Sequence, residues 1–304
     1  MIVNPISGGR PNEALAETLR ARLTAAGERV EVCHTTARGD ARQRAATLDG
    51  AVSLVIAVGG DGTVNEVCDG LVGRSTPLLI VPRGTENLLA RLLGLTDDAP
   101  RVVATALAPR VVPFDVGIAN RRRFLCVSGV GFDGEVIRRL EARRRGHIGH
   151  WTYFRPIWEA FWTWGFPRLR VEVDGQCVFD DRGLAFVGNI RRYALGLRIL
   201  RDARPDDGLL DVCCYRCASR ARLLVHSGLT LLRRHVGRRG VNYFRGRVVR
   251  VTAAEPLPVE MDGESFGATP IEYSILPGAV RLVAGVATPG ADPQRDADAA
   301  ARPR

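Results

Sequence analysis

Apolar residues in the first third of the chain fall into short runs separated by glycine-bearing polar turns, and the period of those runs changes further on. Leu15, Leu19 and Leu23 recur at helical spacing and mark one helix face. Val30-Glu31-Val32 begins a strand. The run from Ala51 to Val58, rich in Val and Ile and bounded by glycines, reads as a buried strand. From Thr63 to Val72 there is no proline, and Val64, Val67 and Leu71 stand at helical spacing, which predicts a helix. Leu78-Leu79-Ile80-Val81 forms the next strand, and another helix begins near Glu86. Alternation of this kind predicts a parallel sheet with helices on both faces.

After Val111 the pattern shortens. Arg168 to Val173, Gln176 to Phe179, Leu184 to Gly188, Leu209 to Tyr215, Val248 to Thr252, Pro258 to Met261 and Ile271 to Ile275 are strand-like runs with turn residues between them. Short strands at regular spacing imply an antiparallel sandwich. The fold class is therefore α/β plus all-β, an N-terminal parallel-sheet domain over residues 1–114 followed by an antiparallel β-sandwich over residues 115–287. The last strand has the option of returning to the first domain. Residues 288–304, rich in Ala, Asp, Pro and Arg, read as a disordered tail. Met1-Ile2-Val3 is a stub of strand, which suggests a true start further upstream.

Composition narrows the chemistry. The 304 residues are 46% apolar and 25% charged, an ordinary globular balance. No apolar run approaches a membrane span and no signal peptide precedes the first strand. The seven cysteines are scattered apart from Cys213, Cys214 and Cys217, with no paired metal-ligand spacing; they read as reduced, structural thiols of a cytoplasmic protein. The net charge of +10 favours anionic partners. All 43 basic side chains are Arg. Without lysine, the GxxxxGK[ST] phosphate loop, the strand lysine of a protein kinase and any Schiff-base mechanism are excluded. A nucleotide site here has to rely on backbone amides, hydroxyls, Arg and metal.

Three segments carry that possibility. Gly59-Gly60-Asp61-Gly62-Thr63 lies between the predicted strand and helix, where N–H groups face an incoming anion and a glycine lets phosphate approach the backbone. The same segment taken alone also reads as a plain tight turn. Asn4-Pro5-Ile6-Ser7-Gly8-Gly9 and Pro82-Arg83-Gly84-Thr85-Glu86-Asn87 follow strands as well. In a parallel sheet such loops gather at the carboxyl ends of the strands, where ligands bind. Three polar, glycine-containing loops at that edge favour a nucleotide site.

These segments, with Gly131-Phe132-Asp133, Gly188-Asn189, Pro205-Asp206-Asp207-Gly208-Leu209-Leu210-Asp211 and Asp262-Gly263-Glu264 in the same order, resemble the diacylglycerol kinase catalytic-domain family, bacterial lipid kinases related to sphingosine kinases. The resemblance runs from Asn4 to about Val286. It implies a nucleotide domain followed by a lipid-binding β-sandwich, with ATP and Mg²⁺ as cofactors. Asn4, Pro5, Ile6, Ser7 and Gly8 would contact ATP. Gly59, Gly60, Asp61, Gly62, Thr63, Val64, Asn65 and Glu66 would wrap its phosphates, and Thr85 would add a hydroxyl. Thr35 sits where the family keeps an ATP-contacting threonine, with Thr36 as its neighbour and rival. Arg204, Asp207 and Leu209 map to a structural Mg²⁺ site of one carboxylate plus backbone carbonyls, the hard oxygen donors such an ion takes; the same stretch also reads as a solvated turn.

Two aspartates compete for the base of phosphoryl transfer. Asp61 either holds Mg²⁺ or takes the proton. Asp262, with Glu264 beside it, stands where the bacterial lipid kinases place their proposed base, and it is the favoured choice. Val259 to Glu264 also reads as an ordinary hairpin with an Asp-Gly turn, and the same dipeptide recurs at Asp174-Gly175 with no function attached. The chain departs from the family where Leu88 follows Asn87 in place of the usual Asp, and Arg83 and Glu86 replace smaller residues.

All four tryptophans fall between Arg143 and Pro167, after Arg143-Arg144-Arg145, together with Tyr153, Phe154, Phe161 and Phe166. The segment reads either as a packed core helix or as a lid or interfacial helix facing lipid, since aromatic rings favour the headgroup level and Arg attracts anionic lipid. The function expected is an ATP-dependent lipid kinase acting on a hydroxyl of diacylglycerol or a similar lipid. The expected setting is the cytoplasmic face of an anionic membrane, peripherally bound, with a homodimer left open. The alternatives are a kinase of a soluble alcohol or NAD, and a non-catalytic lipid- or nucleotide-binding protein. Nucleic acid is not expected as a partner, because no recognition motif accompanies the charge.

Overall fold

The computed structural model describes residues 1–7, 11–143 and 150–285. Gly8, Gly9, Arg144, Arg145 and the tail expected at residues 288–304 lie outside the described residues. The chain divides into two compact units, one formed by Met1–Pro113 with the chain from Val280 onward, the other by Phe114–Ala279.

The first unit alternates strand and helix: β1 (Ile2–Val3), α1 (Glu13–Ala25), β2 (Cys33–His34), α2 (Asp40–Ala46), β3 (Val55–Gly59), α3 (Asp61–Leu71), β4 (Leu78–Pro82), α4 (Leu88–Leu92) and α5 (Ala99–Leu107). Its strands lie parallel in the order β4-β3-β1-β2, with Ile2 opposite both Cys33 and Ala57 and Val55 opposite Leu78. Val3, Ile56, Val58, Leu79 and Val81 send one sheet face into a core with Leu19, Leu23 and Val102. The strand expected from Val30 starts only at Cys33, because β1 supplies just two residues to pair with. The strand expected from Ala51 starts at Val55; Val52 N–H instead closes a turn onto Asp49 O.

The chain then runs through β5 (Arg110–Ala119), β6 (Arg122–Phe124), β7 (Val127–Val130), α6 (Phe132–Ala142), α7 (Phe154–Thr163), β8 (Arg168–Val173), β9 (Gln176–Gly188), β10 (Leu210–Arg216), α8 (Arg220–Leu231), β11 (Val241–Gly246), β12 (Val248–Ala253), β13 (Pro258–Met261), β14 (Glu264–Ala268) and β15 (Ile271–Ala284). Here the pairing is antiparallel and sandwich-like. One layer runs β14-β13-β7-β9-β10-β11, and the other joins β9, β8, β12 and β15.

Strand β9 belongs to both layers. Its first half pairs with β8 and its second half with β7 and β10. The two strands expected at Gln176 to Phe179 and Leu184 to Gly188 are therefore one. Asp180-Asp181-Arg182-Gly183 looks like a turn in sequence, yet Asp180 accepts from Arg168 Nε at 2.7 Å across the pair. Strand β15 also outruns its expected end at Ile275, and its Leu282 lies parallel beside Leu78 in the first unit.

The second unit buries one carboxylate without full compensation. Asp211 on β10 is fully buried; its Oδ1 accepts from Tyr243 Oη at 2.7 Å, and its Oδ2 has no partner among the described residues. Burial pushes its carboxyl up from 3.8 to about 6, against the pull of the Tyr243 bond. The folded protein thus binds this proton more tightly than the unfolded chain. The stability it confers is complete below about pH 4 and is lost as pH rises through about 6. We expect the stability of the wild type relative to Asp211→Asn to fall by up to about 3 kcal/mol between pH 4 and 7. Denaturant titrations across that range measure it, and a flat difference would contradict the assignment.

Candidate functional site

In the first unit, parallel order brings the loops after β1, β3 and β4 to one sheet edge, and side chains tie them together. Arg83 N–H donates to Gly59 O at 2.8 Å. A Cβ on Gly84 would stand 2.8 Å from Gly60 Cα and 2.9 Å from Asn87 Oδ1, so these two turns meet backbone to backbone. Gly59 has a different neighbour: its Cβ would fall 2.6 Å from Thr63 Cβ. Gly62 is exposed and a Cβ there would meet nothing within 4 Å. Protein packing therefore does not require glycine at residue 62, whereas close approach by a ligand would.

Helix α3 starts at Asp61 with Gly60 extended and no side chain capping it. Its first N–H groups thus point outward from an eleven-residue helix whose dipole favours an anion there. Asp61 turns its carboxylate elsewhere, accepting N–H from Asn87 at 2.8 Å and from Leu88 at 2.7 Å. Burial raises its pKa, and the two donors pull the other way. The departure at Leu88 leaves this contact intact, because the backbone supplies it.

Asn4 donates Nδ2 to Thr63 Oγ1 at 3.1 Å and accepts Ile6 N–H, which links the first loop to α3. Pro5 O accepts from Asn12 N at 3.2 Å, Ile6 is exposed, and Ser7 Oγ accepts from Asn12 Nδ2 at 2.8 Å. Val64 faces the core, and its N–H is bonded to Gly60 O, so it presents no group to a ligand. Asn65 is half-buried on α3, and Glu66 accepts Gly39 N–H at 2.8 Å. Thr85 is half-buried on the loop after β4. Thr35 N–H extends the β1 pairing to Val3 O, and Thr36 directs its hydroxyl to Asp40 at 2.6 Å. Of the two threonines, only Thr36 has its hydroxyl so committed.

Two residues of this network are not evident from the sequence. Asn12 is fully buried and donates to both Asn4 O and Ser7 Oγ. Arg83, which stands where the family keeps a smaller residue, donates Nε to Asn12 Oδ1 at 2.7 Å and pairs with Asp97 at 2.8 Å. The only sequence signal is an Asn just before a helix, which suggests a cap; instead its side chain turns back to the loop.

In the second unit, Asp262-Gly263 forms a two-residue turn between β13 and β14 with φ of 52° and 81°, the hairpin geometry expected of Asp-Gly. Asp262 accepts N–H from Leu125 and Cys126 at 2.8 Å and from Val127 at 3.2 Å. Asp174, in the same type of turn, accepts N–H from Arg247 and Val248 at 2.9 Å. The surroundings separate the two turns. Glu264 pairs with Arg122 at 2.5 Å. Glu260, fully buried, accepts Gly263 N–H at 3.0 Å, and Asp133 of the Gly-Phe-Asp segment receives the Tyr193 hydroxyl. Burial first, then the charge of Asp133, pushes Glu260 well above its ordinary range, so Glu260 carries the proton.

At residues 204–209 the protein's own groups engage the loop. Both Asp207 oxygens are engaged, Oδ2 by the Arg245 guanidinium and Oδ1 by Leu209 N–H at 3.1 Å. Arg204 is exposed, and among the described residues no cluster of three His, Cys, Asp or Glu could hold a metal. Asp115, beneath the loop, accepts Gly208 N–H at 2.7 Å and Gly278 N–H at 2.6 Å. The loop is thus held by protein donors; Mg²⁺ ligands at Arg204, Asp207 and Leu209 stay what the resemblance implies.

An α/β unit with its polar loops gathered at one sheet edge is thus followed by an antiparallel β-sandwich unit. The chain belongs to the diacylglycerol kinase catalytic-domain family: residues 1–119 match the diacylglycerol kinase catalytic domain, and residues 126–284 match the YegS C-terminal NAD kinase beta sandwich-like domain. A Bacillus subtilis protein named diacylglycerol kinase is 27% identical over 291 residues, covering 93% of this chain and 95% of its own. A Staphylococcus carnosus diacylglycerol kinase is 27% identical over 277 residues, 90% of each chain. The crystal structure of a diacylglycerol kinase from Bacillus anthracis has the same fold, with a TM-score of 0.71 at 24% identity over 93% of this chain and 95% of that one. Membership makes the chain a phosphotransferase with ATP as the donor the family implies.

Two substitutions probe these arrangements. Gly84→Ala forces the two turns apart and should cost about 1–3 kcal/mol of stability together with nucleotide affinity. Thermal unfolding with and without ATP reads both, and an unaltered ATP-induced shift would count against the coupling. Glu260→Gln mimics the protonated acid and should cost less than about 1 kcal/mol at pH 7, whereas Glu260→Ala should cost about 2 kcal/mol or more. Equilibrium denaturation decides, and the reverse order would place the charge on Glu260.

Proposed function

We propose that this protein is an ATP-dependent lipid kinase that transfers the γ-phosphoryl group of Mg²⁺-bound ATP to a hydroxyl of diacylglycerol or a similar lipid. The observation that carries the reading is the uncapped start of α3 at the edge where Asn4, Thr63, Arg83 and Gly84 are locked together. That edge suits a polyphosphate, and a chain without lysine has to bind one through amides and Arg. Transfer to an alcohol needs the hydroxyl aligned with the γ-phosphate and a carboxylate that accepts its proton. Binding and alignment supply most of the acceleration.

Asp262 is the proposed base. Three backbone donors fix its carboxylate, and the protonated Glu260 beside the turn adds no second negative charge to the hairpin. Glu264, paired with Arg122, orients the same turn. Asp61 serves the nucleotide side by holding the α4 start, which keeps the loop carrying Thr85 in place.

The test is phosphate transfer from labelled ATP across vesicles containing diacylglycerol or other hydroxyl-bearing lipids, and across soluble alcohols and NAD. Diacylglycerol should be labelled. Asp262→Asn should lower kcat by about 10²–10⁴-fold with little change in KM for ATP, and Asp61→Asn should chiefly raise that KM. Transfer to no lipid would overturn the reading, and full activity in Asp262→Asn with an inactive Asp61→Asn would move the base to Asp61.

A further inference from the structure

Helices α7 and α8 of the second unit both carry apolar side chains on the face turned away from the core. On α7 the buried positions are Pro156 and Ala160, while Phe154, Trp158 and Trp162 stand on the opposite side at i, i+4 spacing. These rings form a continuous row: Phe154 and Trp158 stack at 6.4 Å, and Trp158 meets Trp162 edge-on at 5.6 Å. Among the described side chains of the segment, the packed-core reading holds for Trp164 and Phe166 beyond the helix, which are buried.

Helix α8 repeats the arrangement without aromatic rings. Leu223, His226 and Thr230 face inward. Ala221, Leu224, Val225, Gly228, Leu231 and Leu232 fall within an arc of about 120° on the far side, at the helical rotation of about 100° per residue. The outward Phe, Trp, Leu and Val side chains of the two helices are between 52% and 69% exposed. The outer face of a helix in water ordinarily carries polar residues.

The two faces adjoin. Arg220, the first residue of α8, donates Nε to Phe161 O at 3.0 Å and a second N–H to Trp162 O, and its guanidinium lies over the Trp162 ring at 5.5 Å. The one carboxylate of the two helices, Glu159 on α7, is paired with Arg143 and Arg155, and the charge along α8 has one sign. From Arg220 to Arg239 there are six Arg and no Asp or Glu. Arg222, Arg233, Arg234, Arg238 and Arg239 form no ion pair among the described residues. Arg198 is further crowded by the charges of Arg233, Arg192 and Arg191.

We propose that the outward faces of α7 and α8 together form a docking surface for a bilayer bearing anionic lipid. The apolar rings and aliphatic side chains enter the headgroup and acyl boundary, and the Arg residues hold the phosphates. Charge selects this occupant. A second copy of the chain packed symmetrically on the same patch would set Arg against Arg, with the one carboxylate of the two helices, Glu159, already paired to Arg143 and Arg155. A neutral apolar partner would leave that charge without a counterpart.

Flotation of the full chain with vesicles, read without nucleotide so that catalysis plays no part, tests the surface. Vesicles of phosphatidylcholine and phosphatidylglycerol in equal parts should carry the protein up the gradient, with a blue shift of its tryptophan emission. Pure phosphatidylcholine should not, and added salt should release the protein. W158S/W162S and L224S/L231S, all at exposed positions, should each lower the partition coefficient about tenfold or more. Circular dichroism checks that both variants are folded, and R233S/R234S should abolish the preference for anionic vesicles. Equal partition of wild type and both apolar variants would overturn the proposal. So would absence of vesicle binding together with a dimer in sedimentation that these substitutions dissolve.

Discussion

The backbone contact between Gly60 and Gly84 is the constraint on which the nucleotide edge depends. Because no side chain separates the turn after β3 from the turn after β4, the Asp61 carboxylate reaches the Asn87 and Leu88 amides. Asn87, at φ 49°, returns two hydrogen bonds to Gly84 through its side chain. Arg83 then carries the connection to Asn12, and Asn12 to Asn4 and Ser7. Each bond is worth only about 1 kcal/mol net, yet breaking one strands buried partners, so the loops behave as a unit. A site ordered in advance loses less conformational entropy when an anion binds.

The second unit poses the opposite problem, how to keep acids in an apolar setting. Glu260 and Asp133 are close enough for the charge of one to raise the other, and the structure tolerates them because one remains protonated and Tyr193 donates to its partner. Asp262 rides on the hairpin that this pair supports through Gly263. Asp174 occupies an equivalent turn and caps neighbouring amides in the same way. Local geometry therefore does not distinguish a turn-capping aspartate from a base; what sets Asp262 apart from Asp174 is the acids and the Arg122 pair around it.

Much of this was legible in the sequence where the cause is local. Helix α3, strands β4, β8 and β13 and both Asp-Gly turns follow from short-range pattern and turn chemistry, and they lie within a residue or two of where the pattern puts them. What was not legible depends on distant partners. Asn12 and Arg83 are 71 residues apart, and nothing in either neighbourhood announces the bond. The acidic middle of β9 looked like a turn because its charges are compensated across the sheet by Arg168 and Arg170. The bond from Arg245, on a later strand, to Asp207 is of the same distant kind.

The aromatic segment taught the same lesson at the surface. Its composition was as compatible with a core helix as with an interfacial one, and only the directions of Pro156 and Ala160 separate the two. Helix α8 gave no comparable signal, because its inward stripe is the more polar one, with His226 and Thr230 bonded to Arg216 O and Tyr215 Oη. Once those polar groups are satisfied inside, the leucines are left outside. A folded monomer gains nothing from exposing them to water. For a kinase whose acceptor is dissolved in a bilayer the balance differs: holding the protein at the surface raises the local concentration of the lipid without altering any contact at the site of transfer. On the proposed docking, the outward leucines and the inward histidine of α8 have one cause, a helix whose apolar side is turned to lipid and whose polar side faces protein.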